Sequence, residues 1–137
     1  MNEETNTKIV QDAYAKFAAQ DIPGLLELCS ENIEWEVPEV ENASWAGKRN
    51  GVKAVGEFFS QLGESETFAR FEPLEFVAQN DKVVVLGESD TTVNATGNSY
   101  QTEWVHVFHI TDGKIAGFQE FFDNAAATRA FQKTAAA

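Results

Sequence analysis

The spacing of hydrophobic residues changes character close to Gly63, and this change limits the possible folds more than any other feature. Before that point, apart from one alternating stretch at residues 33–37, apolar side chains mostly recur every three or four residues, which is typical of amphipathic helices. After it they alternate with polar side chains, which is typical of half-buried strands. Helices grouped early and strands grouped late predict an α+β fold, with an antiparallel sheet and helices on one of its faces.

Capping residues, prolines and alternation predict the individual elements. The predicted helices are residues 5–19, a short helix capped by Asp21, residues 52–62 ended by Gly63, and a last helix capped by Asn124 or Asp123. The predicted strands are residues 33–37, 67–78, 82–93, 100–110 and 115–123. Because proline cannot donate to a ladder, Pro73 implies an edge strand or a bulge at 67–78.

The charge of the chain disfavours several classes of partner. Its 137 residues include 22 Asp and Glu against 10 Lys and Arg, which gives a formal net charge of −12. Such a protein repels phosphate backbones and anionic lipid, so we expect no nucleic-acid or membrane binding. No run approaches the roughly 18 apolar residues of a membrane span. The polar start shows no signal peptide, so we expect a cytoplasmic protein.

No metal or cofactor site is predicted. His106 and His109 lie an odd number of positions apart on one predicted strand, so they face opposite sides and cannot share a metal. The glycines of residues 47–51 lack the spacing of a phosphate-binding loop. Cys29 is the single cysteine and has leucine neighbours, so we expect a buried hydrophobic residue rather than a nucleophile.

Several short motifs occur in an order and spacing that resemble the NTF2-like superfamily. They are QD before the second helix, IEWEVP in the lone strand, and WVHVF and DGKIAGFQEFFD in the last hairpin. Within that superfamily the chain is similar to the SnoaL-like polyketide cyclase and ketosteroid isomerase-related group. The resemblance implies one domain over residues 1–137. It also implies an NTF2-like cone, in which a curved antiparallel sheet wraps against three N-terminal helices, with a short C-terminal helix.

The resemblance allows the catalytic positions of the family to be compared one by one. The base of ketosteroid isomerase precedes a proline on the lone strand, where this chain has Val37, so that mechanism is not expected. The acid of its oxyanion hole corresponds to His106, and its tyrosine lies nearest Tyr14 or Phe17. The acidic residue that polyketide cyclases carry on the final strand corresponds to Glu120.

Strand alternation independently predicts that the last hairpin lines a pocket. If Trp104 faces the interior, then His106 does too, and Glu120 faces inward on the returning strand. Neighbouring strands lie about 5 Å apart, so His106 and Glu120 can share a proton. We expect Glu120 to act as a base beside a carbonyl, with His106 or Trp104 donating to the developing oxyanion. A purely structural pair that fixes strand register is the alternative.

The remaining expectations concern the pocket wall and the outer face. The residues expected to bind substrate are Tyr14, Trp35, Val37, Trp45, Phe59, Leu62, Leu86, Glu88, Trp104, Phe108, Phe118 and Phe122. The outer face is predicted to carry Val105, Val107 and Phe121, which favours a homodimer through that face. Two functions fit these features. One is a cofactor-free acid/base isomerase or cyclase for a small hydrophobic carbonyl or polyketide-like compound, and the other is a non-catalytic ligand-binding or dimerisation module.

Overall fold

The computed structural model describes residues 2–132, so residue 1 and residues 133–137 of the expected domain lie outside the described part. In chain order the elements are α1 (Glu3–Ala18), α2 (Ile22–Glu27), β1 (Cys29–Val37), β2 (Gly47–Asn50), α3 (Val52–Ser65), β3 (Glu66–Gln79), β4 (Lys82–Val93), β5 (Ser99–Thr111), β6 (Lys114–Phe122) and α4 (Asn124–Phe131). Helices precede the long strands, and the predicted α+β class is confirmed.

Side-chain caps begin three of these helices. Asn2, Asp21 and Asp123 each accept a hydrogen bond from a backbone N–H in the first turn of α1, α2 and α4. Of the two candidates for the last helix, Asp123 is the cap, and Asn124 is the first helical residue. Each cap satisfies a backbone donor that the helix itself leaves without a partner.

The predicted end of α3 at Gly63 is wrong. The helix continues to Ser65, and the chain passes directly into the extended Glu66, whose N–H bonds to the carbonyl of Leu62. A glycine ends a helix when it adopts a positive φ, and Gly63 does not do so.

The strands form one open, curved sheet in the order β2-β1-β6-β5-β4-β3. β3 to β6 pair antiparallel with their neighbours in sequence, as predicted. β1 pairs with β6 in parallel, which corrects the expectation of an antiparallel sheet at this one position. A tight turn dictates the antiparallel direction of hairpin strands, whereas no turn joins β1 to β6. The short β2 was not predicted, because its sequence Gly-Lys-Arg-Asn has no hydrophobic alternation.

Pro73, which has no backbone N–H to donate, lies on an edge strand beside an irregularity in the strand pairing. β3 is the last strand of the sheet, and its register with β4 shifts between Pro73 and Glu75. Both expectations for this proline, an edge strand and a bulge, are confirmed.

The two faces of the sheet differ in their surroundings. On β5, Trp104, His106 and Phe108 are buried, whereas Val105 and Val107 between them are partly exposed. The helices contact strands across the sheet, α1 meeting β3 and β4, α3 meeting β1, and α4 meeting β5. The core therefore lies between the helices and the inner face. None of the helices in the described part is long and apolar enough to cross a bilayer.

Candidate functional site

A cavity of about 100 Å³ lies within this core, between the helices and the inner face of the sheet. Most of its wall is aromatic, and neither lysine nor arginine lines it among residues 2–132. Many of the residues predicted to form the site lie on this wall. They are Tyr14, Trp35, Trp45, Phe59, Leu62, Trp104, His106, Phe108, Phe118, Glu120 and Phe122.

Three polar side chains on the wall form a continuous hydrogen-bonded chain. The Tyr14 hydroxyl oxygen lies 2.6 Å from Nδ1 of His106, and Nε2 of His106 lies 2.7 Å from Oε2 of Glu120. Only 6% of the His106 side chain and 18% of the Glu120 side chain are exposed. His106 and Glu120 are direct partners across β5 and β6, as the alternation predicts, and α1 brings Tyr14 to them.

These two partners determine what the His106 ring can do. A neutral imidazole donates through one nitrogen and accepts through the other, and an ionised carboxylate only accepts. With Glu120 ionised, Nε2–H donates to Glu120 and Nδ1 accepts from the Tyr14 hydroxyl. Both ring nitrogens are then occupied. The expected role of His106 as a direct donor to a ligand therefore changes to that of a link between Tyr14 and Glu120.

Tyr14 and Glu120 are left to meet a ligand. Burial raises the pKa of the Tyr14 hydroxyl far above its usual value, and the negative charge of Glu120 raises it further. Tyr14 therefore keeps its proton at neutral pH and serves as a hydrogen-bond donor. The second carboxylate oxygen of Glu120, Oε1, has no hydrogen-bond partner within residues 2–132.

Aromatic packing holds the His106 ring in place. The indole of Trp104 stacks on it, with ring centroids 4.0 Å apart and planes 18° apart. Gly87 lies opposite Trp104 on β4, and a side chain there would overlap the indole ring. The glycine therefore makes room for the aromatic ring that supports the histidine.

Three indole N–H groups around the cavity have no acceptor in the described part of the chain. They belong to Trp35, Trp45 and Trp104, each of which is at least nine-tenths buried and lines the cavity. A buried donor without a partner costs about 1–3 kcal/mol, so such groups are rare in folded proteins.

The cavity holds a second carboxyl group, which the sequence analysis missed. Glu66 is 6% exposed and lines the wall, and the Tyr100 hydroxyl donates to its Oε2 over 2.7 Å. Burial raises the pKa of Glu66 from 4.5 to about 7, a hydrogen bond from Tyr100 opposes this rise, and Glu120 adds to it. Glu66 lies two positions before Phe68, so alternation along the strand could have placed both side chains on the inner face. The predicted strand began at residue 67, one residue after Glu66, and therefore left it out.

Three residues expected on the wall lie elsewhere. Leu86 and Glu88 face outward, since it is Val85 and Gly87 that are buried on β4. The apolar run from Val83 to Leu86 contains no alternation, so it could not indicate which face is inside. Glu88 instead pairs with Arg70 on the outer face. Val37 is buried, but it lies one inward position beyond Trp35 and outside the cavity wall.

The cavity offers neither a reactive thiolate nor, within residues 2–132, a cluster of metal ligands. Cys29 lines it, but burial raises the pKa of its thiol to about 11, so the thiolate is scarce at neutral pH. Its burial confirms the expectation of a small hydrophobic residue. In the described chain no three His, Cys, Asp or Glu side chains gather in a way that could hold a metal ion.

Comparisons with known proteins agree with this architecture. Residues 10–118 match the family model described as SnoaL-like domain. An NTF2-like protein from Burkholderia xenovorans is 31% identical, with a TM-score of 0.88 over 96% of this chain and 99% of that one. An NTF2-like protein of unknown function from Burkholderia pseudomallei is 27% identical, with a TM-score of 0.84 over 98% of this chain and 100% of that one.

A third solved structure, TerC co-crystallised with polyporic acid, is 28% identical, with a TM-score of 0.83 over 93% of this chain and 98% of that one. No curated protein matches the chain at a significant level. The structural likenesses confirm the predicted NTF2-like fold.

Proposed function

The chain belongs to the SnoaL-like domain family, and we propose that its cavity binds a small hydrophobic carbonyl compound and moves a proton on it without a cofactor. The observation that carries this proposal is the pair of hydrogen bonds that links Tyr14, His106 and Glu120 on the wall of an aromatic cavity. Since one fold hosts many functions, these side chains indicate the reaction, and the fold alone does not. The reaction class that fits them is isomerisation or cyclisation.

The wall of the cavity favours a flat, uncharged ligand. Aromatic rings such as those of Trp35 and Phe118, stacked with centroids 3.9 Å apart, offer flat apolar surfaces. The absence of lysine and arginine from the described wall gives a strongly anionic ligand no counter-charge. The similar protein TerC was co-crystallised with polyporic acid.

The proposed step is a proton transfer between carbon atoms. Oε1 of Glu120 removes a proton from a carbon beside the carbonyl, and the electrons of the C–H bond form an enolate. The Tyr14 hydroxyl exchanges its His106 acceptor for the carbonyl oxygen and stabilises the developing negative charge. His106 remains bound to Glu120 and keeps the carboxylate oriented. When a carbon–carbon double bond adjoins the deprotonated carbon, the enolate extends over it and Glu120 returns the proton to the far carbon of that bond. The double bond moves by one position, which completes an isomerisation, and the carboxylate is regenerated.

Exchange of carbon-bound protons with solvent tests this step. 2-Tetralone in D₂O is incubated with the protein, and the loss of its α-proton signals is followed by NMR. We expect wild-type protein to accelerate exchange, and Glu120→Gln to lower that acceleration by about 100-fold or more, because a positioned base contributes at least this much. His106→Leu should also lower it, since leucine has no N–H to donate and Glu120 loses the donor that orients it.

Two substitutions on the outer face serve as matched controls. Glu103 and His109 lie on the same strand as His106, and Glu103 is exposed while His109 faces away from the cavity. Glu103→Gln and His109→Gln should leave exchange unchanged. Equal acceleration by wild-type protein and Glu120→Gln would refute Glu120 as the base.

A second candidate function, ligand binding without catalysis, is favoured by one observation. Both ring nitrogens of His106 already have protein partners, so fixing α1 to the last hairpin is a sufficient role for the hydrogen bonds from Tyr14 to Glu120. This alternative predicts that 2-tetralone binds to wild-type protein with no acceleration of exchange.

A further inference from the structure

A second group of polar side chains lies on the cavity wall, apart from Tyr14, His106 and Glu120. It comprises Glu66 at the start of β3, Ser89 and Thr91 on β4, and Tyr100 and Thr102 on β5, and is called the distal subsite below. Glu66, Ser89, Thr91 and Thr102 are each more than nine-tenths buried. Glu66 and Tyr100 bond to each other, and Thr102 bonds to the backbone of Glu103 and Asp123, whereas the Thr91 hydroxyl has no partner within residues 2–132.

The register of β5 separates the distal subsite from His106 along the cavity wall. Tyr100, Trp104 and His106 all point inward on this strand, with Trp104 between the other two. His106 lies six positions after Tyr100, which corresponds to roughly 20 Å along the strand. The side chains approach one another more closely than their backbones do, because the charge of Glu120 raises the pKa of both Glu66 and Tyr100. The cavity wall therefore carries two polar groups, with the aromatic Trp104 between them on β5.

The Glu66 carboxyl has one oxygen free for a ligand. Oε2 accepts the hydrogen bond from Tyr100, and Oε1 has no partner within residues 2–132. The titratable groups that act on Glu66 are Tyr100 and Glu120, and no cation on the described wall compensates its charge. Its pKa of about 7, raised chiefly by burial, leaves a large protonated fraction at neutral pH. A protonated carboxyl can donate as well as accept.

We propose that Glu66, held by Tyr100, binds a second oxygen atom of the ligand, so that the natural ligand is a flat molecule with two oxygen atoms, one for each polar group of the cavity. This inference rests on the proposed function, because it assumes that the same cavity binds a ligand. It adds a second anchoring point for that ligand. A ligand with one oxygen atom satisfies only one of the two polar groups.

Two matched compounds, 2-naphthol and 2,6-dihydroxynaphthalene, test the distal subsite. They share one ring system, but only the second carries a hydroxyl at both ends. Dissociation constants are measured by isothermal titration calorimetry at pH 6.5. In the wild-type protein we expect the second hydroxyl to tighten binding by roughly threefold to tenfold, the usual effect of one hydrogen bond. In Glu66→Leu this gain should vanish, while 2-naphthol still binds.

Two further variants keep the test decisive. Tyr100→Phe removes the hydroxyl that holds Glu66 and should reduce the gain, which provides a result even if Glu66→Leu fails to fold. Glu64→Gln changes an exposed glutamate two positions away and should keep the full gain. If 2-naphthol binds and the second hydroxyl adds the same affinity with and without Glu66, the distal subsite is refuted and the proposed function stands. If neither compound binds to the wild-type protein, both proposals fail.

Discussion

At the scale of single residues, the buried carboxyl of Glu66 makes the stability of the protein depend on pH. Its pKa is 4.5 in an exposed state and about 7 in the folded protein, so the folded state keeps a proton that the unfolded chain loses between these values. The free energy of unfolding therefore falls as pH rises through this window, by roughly 3 kcal/mol from this group when the change is complete.

Glu66→Gln should remove this fall, because glutamine does not titrate and still offers Tyr100 an acceptor. Urea unfolding at pH 5 and pH 8 measures the effect. Relative to wild-type protein, the variant should gain stability as the pH rises. Glu64→Gln, in which the substituted residue is exposed, should follow the wild-type curve. An unchanged pH dependence in Glu66→Gln would contradict the burial of an ionisable carboxyl at this position.

Gly87 provides a second prediction at this scale. A Cβ at this position would overlap the Trp104 ring and the carbonyl oxygen of Glu72. Gly87→Ala should therefore lower the free energy of unfolding by about 1–3 kcal/mol, as overpacked cores do. Gly63→Ala is the matched control, since its Cβ would meet nothing within 4 Å and it lies within α3. It should raise stability. Equal effects in urea unfolding would refute the close approach of Trp104.

At the scale of elements, the hairpin of β5 and β6 was largely predictable. Clean alternation placed Trp104 and His106 on the inner face, and a short turn fixed their pairing with the next strand. Alternation failed on β4, where a continuous apolar run gave no information about its face. Pairing of β1 with β6 depends on no turn, and the contact of Tyr14 with His106 joins residues 92 positions apart. Local sequence patterns carry no signal for either contact.

The start of α4 yields a prediction about an element. The Asp123 side chain accepts the backbone N–H of Ala126, while Asn124 lies inside the helix and is exposed. Asp123→Ala should therefore lower the free energy of unfolding by about 1 kcal/mol, and Asn124→Ala should have little effect. Thermal unfolding followed by circular dichroism measures both. A larger loss from Asn124→Ala would show that the helix begins elsewhere.

At the scale of the whole molecule, the homodimer stays a prediction. The helices occupy the inner face, while the outer face exposes Leu86 and Phe121, at 38% and 49%, beside the partly buried Val105 and Val107. We expect a second copy to cover this patch, because the same apolar surface on both copies is self-complementary around a two-fold axis.

Light scattering of the protein at micromolar concentration tests the dimer. We expect twice the chain mass of 15.1 kDa for wild-type protein, and the mass of a single chain for Phe121→Glu, which introduces a charge into the patch. Lys114→Glu, at an exposed position away from the patch on the same strand, should remain dimeric. A wild-type monomer at this concentration would refute the interface.

Proton transfer by Glu120 also depends on the whole molecule, because the candidate site joins α1 to the hairpin of β5 and β6. It is tested most directly by measuring the binding of 2-tetralone and the exchange of its α-protons in the same NMR sample of wild-type protein. The account predicts that the ketone binds, that its α-protons exchange faster than in buffer, and that 2-naphthol suppresses the acceleration by competing for the cavity. Binding with no acceleration of exchange would contradict proton transfer by Glu120 and leave a ligand-binding protein.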